Sequence, residues 1–251
     1  MLFDYQSIHF KLHLKWKSVV TYLIAFVALF SFLGSADQFI VSNTYYSVKN
    51  SLDSWDSTPS SVSIDDVKIA LTKMTEVTRK SPDNALYYQL QGQLYEWLHF
   101  SESLEDGEQV LQHLARQETA LQSAAQSYQK SLSLRPNWSG GWIGLASVKW
   151  KLGELDTEFY SFIDEAIRVG PQDAIVHKFI VEFGLKMYVE RSVHYAKVFK
   201  RLRHHLELGI QNPLSRNFVL EAVRKNNANE PVCRWLGASS HSVNIGLLRC
   251  T

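Results

Sequence analysis

Apolar positions recur at helical spacing along most of this chain. Val67, Ala70, Leu71, Met74 and Val77 fall on one stripe with polar residues between them, the pattern of a helix buried on one face. Ser63 and Asp66 ahead of it make a capping-box signature, and Ser81-Pro82-Asp83-Asn84 closes it. The same reading predicts helices over 85–100 and 108–134, the second stopped at Arg135-Pro136. Trp142, Leu145 and Ala146 open another, which turns at Leu152-Gly153, and Asp156 to Val169 ends at Gly170-Pro171. Helices follow at 174–189, at 191–208 with Gly209 as a stop, at 214–226 after Asn212-Pro213, and at 230–236. No stretch alternates with period two for long enough to need a sheet, so the body reads as all-α.

Three of these helices share a ladder. Ala124, Tyr128, Ser131 and Pro136 stand at offsets 4, 7 and 12, as do Ala70, Met74, Val77 and Pro82, and a looser copy reads Phe159, Ile163, Ala166 and Pro171. The prolines at 136 and 171 are 35 residues apart, close to the ~34-residue period of tetratricopeptide helix pairs. The step from 82 to 136 is 54 residues, one repeat plus an insertion at about 101–120, where Glu102, Glu105, Asp106 and Glu108 surround Gly107 as an exposed acidic turn. Tyr88, Gly92 and Tyr95 fit the first helix of a repeat, with a small residue where the second helix approaches. Ala70, Gly92, Ala124, Tyr128, Pro136, Trp142, Ala146, Ala166 and Pro171 are the expected repeat-packing positions.

Ser18 to Ala36 is 19 residues without a formal charge, nearly enough as a helix to cross a ~30 Å hydrocarbon core. Lys11, Lys15 and Lys17 precede it, which predicts a cytoplasmic N-terminus and a body on the far side. Gly34-Ser35-Ala36 also suits a signal-peptide cleavage site. Either way the body lies across a membrane, here the periplasmic side of a bacterial inner membrane. The chain then divides into a basic cytoplasmic segment (1–17), a transmembrane anchor (18–36), a linker rich in Ser, Asp and Pro (37–62), the repeats (63–173), C-terminal helices (174–237) and a tail (238–251).

Charge is uneven although the net is +1. Residues 37–120 hold 13 acidic and 6 basic residues, net −7; residues 174–225 hold 4 and 10, net +6. Cys233 and Cys250 are too few for a zinc site and leave two readings, one disulfide or two free thiols. His204 and His205 are adjacent and point about 100° apart on a helix. His177 and His194 lack a helical-spaced ligand partner. No nucleotide-binding, esterase or HExxH motif occurs, so neither a cofactor, a metal nor a catalytic residue is assigned.

Two features suit binding. Lys197, Lys200 and Arg201 share a helix face, with Tyr195 and Phe199 interleaved. That face fits an acidic partner, an anionic glycan or a lipid headgroup; the far-side topology argues against nucleic acid. Trp97, Trp138, Trp142 and Trp150 are expected mostly in the core, with one or two available to stack on a sugar.

The segment YQKSLSLRPNWSGGWIGLASVKWKLGELDTEFYSFIDEAIRVGPQD (128–173), extended through VCRWLG (232–237), resembles the VpsP family of polysaccharide-biosynthesis proteins. The resemblance implies a non-enzymatic, membrane-anchored accessory protein whose partners are polysaccharide assembly and export proteins. Two other readings stand beside it: a glycan-binding or glycan-modifying enzyme on a repeat scaffold, and a general membrane-bound assembly factor.

Overall fold

The computed structural model describes residues 3–101, 109–237 and 245–248, with side chains at 16, 19–31, 35, 37–101, 109–237, 247 and 248. The acidic turn at Glu102, Glu105, Asp106 and Glu108, the side chains of Lys11, Lys15 and Lys17, and Cys250 lie outside the described residues.

The first helix, α1 (Phe3–Ser57), runs without a break through the expected linker. Ser, Asp and Pro composition suggested a flexible stretch from 37 to 62. Beneath it lies a helical stripe, Val41, Tyr45, Val48 and Leu52, all buried against the next two helices. Burial of that stripe holds the segment helical where local propensity alone would not. The helix gives way only at Thr58-Pro59, where Pro59–Ser61 forms a 3₁₀ turn.

Nine further helices follow among the described residues: α2 (Ile64–Lys80), α3 (Ala85–Ser101), α4 (Val110–Leu134), α5 (Ser139–Lys151), α6 (Thr157–Val169), α7 (Ala174–Val189), α8 (Tyr195–Gln211), α9 (Arg216–Lys225) and α10 (Asn229–Gly237). The capping box of α2 is complete. Ser63 Oγ accepts from Asp66 N at 3.1 Å, and Ser63 N donates to Asp66 Oδ2 at 3.3 Å. Asp156 caps α6 by accepting from Phe159 N at 2.9 Å. Gly153, at φ 76°, supplies the left-handed turn between α5 and α6.

The α8 boundaries differ from the sequence reading. Arg191 adopts φ 53° and ends α7, so α8 starts at Tyr195. Gly209 is not a stop. It lies inside α8 because a Cβ there would meet Val219 Cγ2 at 2.9 Å and His177 Cβ at 3.2 Å; Asn212-Pro213 ends the helix instead.

Consecutive helices pack as antiparallel pairs, and the pairs stack. The C-terminal part of α1 with α3, α5, α7 and α9 forms one layer, each touching the next, and α2, α4, α6, α8 and α10 form the other. The core is a string of apolar clusters along this stack rather than one central globule. This is an all-α helical-repeat architecture.

The ladder positions explain the stacking. Ala70, Ala124, Ala146 and Ala166 are buried, as are Met74, Val77, Phe159 and Ile163. Tyr128 fills a slot between two glycines of neighbouring helices. A Cβ on Gly92 of α3 or Gly144 of α5 would come within 2.6 Å of its ring. Trp142 is half-buried, donating to the Pro136 carbonyl at 2.9 Å. Pro136 and Pro171, expected among the packing residues, are exposed. They stand in turns just beyond α4 and α6, where a residue without N–H ends a helix but adds no core contact.

If α1 is part of the repeat body, a fragment starting at residue 37 should be more stable than one starting at 60. The shorter one loses Val41, Tyr45, Val48 and Leu52. At ~1.5–3 kcal/mol per buried side chain, reduced for a compact unfolded state, the loss should be at least ~4 kcal/mol. Urea melts of the two fragments followed by circular dichroism check this.

Candidate binding groove

The layer made by α1, α3, α5, α7 and α9 carries a groove with mixed charge and an aromatic wall. A cavity of about 350 Å³ there is lined by residues including Leu52, Asp56, Gln93, Trp97, Phe100 and Lys151. Trp97 packs edge-on against Trp55 at 5.7 Å and against Phe100 at 5.6 Å, and Phe100 remains 66% exposed.

Glu96 is the polar hub of the groove floor. Its carboxylate accepts from the Tyr128 hydroxyl, from Lys151 Nζ, and from Ser147 Oγ at 2.6 Å. Three helices thereby meet at one carboxylate: α3 supplies it, α4 the phenol, and α5 the ammonium and hydroxyl. Burial, with the neighbouring Glu96 charge and hydrogen bond, pushes the Tyr128 hydroxyl well above its ordinary pKa, so it stays a donor at any physiological pH. The hub ties the three helices together through one carboxylate.

Charges also act across the groove. Groove walls that strip water from Asp56 push its carboxyl up, Asp53 adds to this, and Lys178 of α7 opposes it. Glu182 of α7 is raised by desolvation and opposed by Lys151 of α5 and Lys225 of α9. Asp56 and Lys178 sit on helices separated by α3 and α5 in the stack. Charges on helices that are not neighbours in the stack therefore influence one another on this layer. Lys178 lies 5.8 Å from the Phe218 ring centroid, extending the charged and aromatic lining onto α9.

The expected basic face is divided by the structure. Arg201 donates from Nε and Nη2 to Asp164 Oδ1 at 2.9 and 2.6 Å. Lys197 lies over the Tyr160 ring at 5.5 Å. Lys200 is exposed. Two of the three cations are therefore engaged with α6, in the layer opposite the groove. Leu202 is buried and Phe199 packs on Trp235 at 5.5 Å, as the helix periodicity required. Trp97, Trp138, Trp142 and Trp150 are all half-buried, and Trp97, Trp142 and Trp150 pack against the core clusters.

Sequence reading missed Asp56, Gln93, Glu96, Lys151, Lys178 and Glu182 as one surface. The signal was present in register: Glu96 lies one helical turn past Gly92, and Ser147 and Lys151 stand about one and two turns past Gly144. Only the glycine contacts with Tyr128 put these two registers side by side.

The histidines are arranged differently from their spacing in the chain. His177 of α7 and His205 of α8 are both buried, with their Nδ1 atoms 2.8 Å apart in a hydrogen bond. Among the described residues no group of three or more His, Cys, Asp or Glu side chains is placed to hold a metal ion. Burial, with the His177, His204 and Arg201 charges, pushes His205 down to about 3. Burial and His204 also lower His177, against Asp173. Cys233 is disulfide-bonded.

No protein-family model matches this chain, and no curated protein matches its sequence.

The histidine pair predicts acid sensitivity. In the unfolded chain both imidazoles protonate near ~6.5; in the fold both are held neutral. Stability is therefore fully present above the unfolded value and falls as pH drops below it, toward the folded values. Each such histidine contributes a slope of ~1.4 kcal/mol per pH unit. Thermal melts from pH 7 to pH 5 should show the fall. In a variant with His177→Leu and His205→Leu, which removes both partners together, the fall should be much shallower.

Proposed function

We propose that this chain is a non-enzymatic, membrane-anchored scaffold that binds partner proteins along the α1–α3–α5–α7–α9 groove during polysaccharide assembly or export. The observation that carries the binding reading is the groove itself. There, aromatic side chains and charges of both signs are presented together by packed helices. Such surfaces recognise extended segments of other proteins. The titratable groups of the groove are ion-paired or spread across helices, which suits recognition better than acid–base chemistry.

The anchor is proposed from the uncharged run at 18–36 and its flanking lysines. Among the described residues, no helix is long and apolar enough to cross a membrane; several side chains of that run, at 18, 32–34 and 36, lie outside the description. Those that are described support the reading. Leu23, Ile24, Phe26, Val27, Leu29 and Phe30 are all at least half exposed, with no protein surface to cover them. The disulfide at Cys233 fits an oxidising compartment such as the periplasm. The polysaccharide context rests on the likeness of residues 128–173 and 232–237 to the VpsP family.

The groove reading is tested by affinity capture from detergent-solubilised membranes of cells making the polysaccharide. A variant with Gln93→Arg and Phe100→Ala changes groove-lining positions and should keep its melting temperature. It should lose most of the copurifying glycosyltransferase or export protein. A variant with Lys197→Glu and Lys200→Glu, which spares the Arg201–Asp164 pair, should retain it. The opposite pattern would move the binding face to α8. Direct binding of purified polysaccharide through Phe100 would favour a glycan-binding protein instead.

A further inference from the structure

The break-free α1 fixes how the body stands on its anchor. Tyr45 of α1 packs on Tyr87 of α3 at 5.0 Å, and Trp55 packs on Trp97 at 5.7 Å. Both pairs are 42 residues apart in sequence (87 − 45 and 97 − 55). The two helices therefore run parallel in one register, and Ala85 at the start of α3 is level with Asn43 of α1 (85 − 42). Gln38 lines the same cleft as Lys80, Pro82, Asp83, Leu86 and Arg135. That places the α2–α3 turn and the end of α4 at the level where the uncharged segment ends.

Distance decides what meets this edge. From Ala36 to Val41, the first buried position of α1, the helix rises only ~7.5 Å at 1.5 Å per residue. The polar headgroup layer of one leaflet is itself ~5–8 Å deep. Phe39 and Ile40, 72% and 53% exposed, point outward from α1 within that interval, where interfacial lipid can receive apolar side chains. With no flexible linker to lift the body away, the edge has nowhere else to go.

We propose that this edge of the stack, carrying the α2–α3 turn and the end of α4, is embedded in the phospholipid headgroup layer, with Lys80 and Arg135 facing lipid phosphates. The inference rests on the anchor reading above and adds an orientation to it. Lys80 is only loosely paired with Glu76, at 3.7 Å, since Glu76 is already engaged by Arg79 at 2.6 Å. Arg135 is exposed and lies 5.1 Å from the Trp138 ring centroid, a cation beside an aromatic ring that suits a membrane interface. Asp83, the exposed Asp37 next to Gln38, and Glu76 are the opposing charges near this edge. The part of the groove lined by Asp56, Trp97, Phe100 and Lys151 lies at the other end of α1, α3 and α5. Asp56 stands ~30 Å from Ala36 along α1 at 1.5 Å per residue, clear of the bilayer.

The test uses the full chain in vesicles of phosphatidylethanolamine and phosphatidylglycerol. The photocrosslinker p-benzoylphenylalanine replaces Asp83 at the proposed membrane edge or Thr157 at the opposite edge, beyond α5. Resistance to carbonate extraction is measured on the same samples. Phospholipid adducts are expected from position 83 and only background from position 157. Changing both Lys80→Glu and Arg135→Glu should leave extraction resistance intact and lower the position-83 adduct severalfold. A carbonate-resistant chain with equal adducts at both positions, or none at either, overturns the orientation and leaves the anchor standing. A chain extracted by carbonate overturns the anchor, and the orientation with it.

Discussion

Tyr128 is the contact on which the stack depends. Its ring occupies space that exists only because Gly92 and Gly144 lack a Cβ, and its hydroxyl reaches Glu96. One side chain thus sets how closely α3, α4 and α5 approach and also fixes a carboxylate on the groove floor. Removing the ring would leave a cavity, and enlarging either glycine would leave no room for it. The packing rule and the surface that it builds share the same atoms. That is why residues of the groove and of the core cannot be separated along these helices.

A second constraint is the continuity of α1. A span followed by a loose linker would let the repeats rotate and lift. If the proposed span is also the first helix of the stack, it holds them at one height. In that proposal the membrane edge and the groove between α1, α3 and α5 lie at opposite ends of the same parallel helices. In the orientation proposed above, basic and aromatic side chains at one end would face lipid, and mixed charge at the other would face a partner. This division follows from the direction of α1, α3 and α5 alone.

Much of this was legible in the chain. Stripes such as Val67–Val77, the Ser63–Asp66 box and the proline stops locate most helices within a few residues, because burial period and capping are local chemistry. The repeat offsets found the packing alanines and Tyr128. Three things were not legible, each for a physical reason. Residues 37–57 have linker composition, and only tertiary burial of Val41, Tyr45, Val48 and Leu52 makes them helical. Gly209 has the residue type of a helix stop, yet is needed for close approach to Val219. Arg201 belongs to a basic run, but its partner Asp164 is 37 positions away and on another helix, so no local pattern pairs them. The groove was hidden likewise, because it exists only between helices whose relative register the sequence does not state.

The central claim is that residues 41–57 belong to the folded body. Hydrogen exchange on the full chain in phospholipid nanodiscs tests it most directly. Amides of 41–57 should be protected to the same degree as those of α2 and α3, and all three should open together as one cooperative unit. Exchange of 41–57 at the rate of an unstructured linker, with α2 and α3 still protected, would contradict the account.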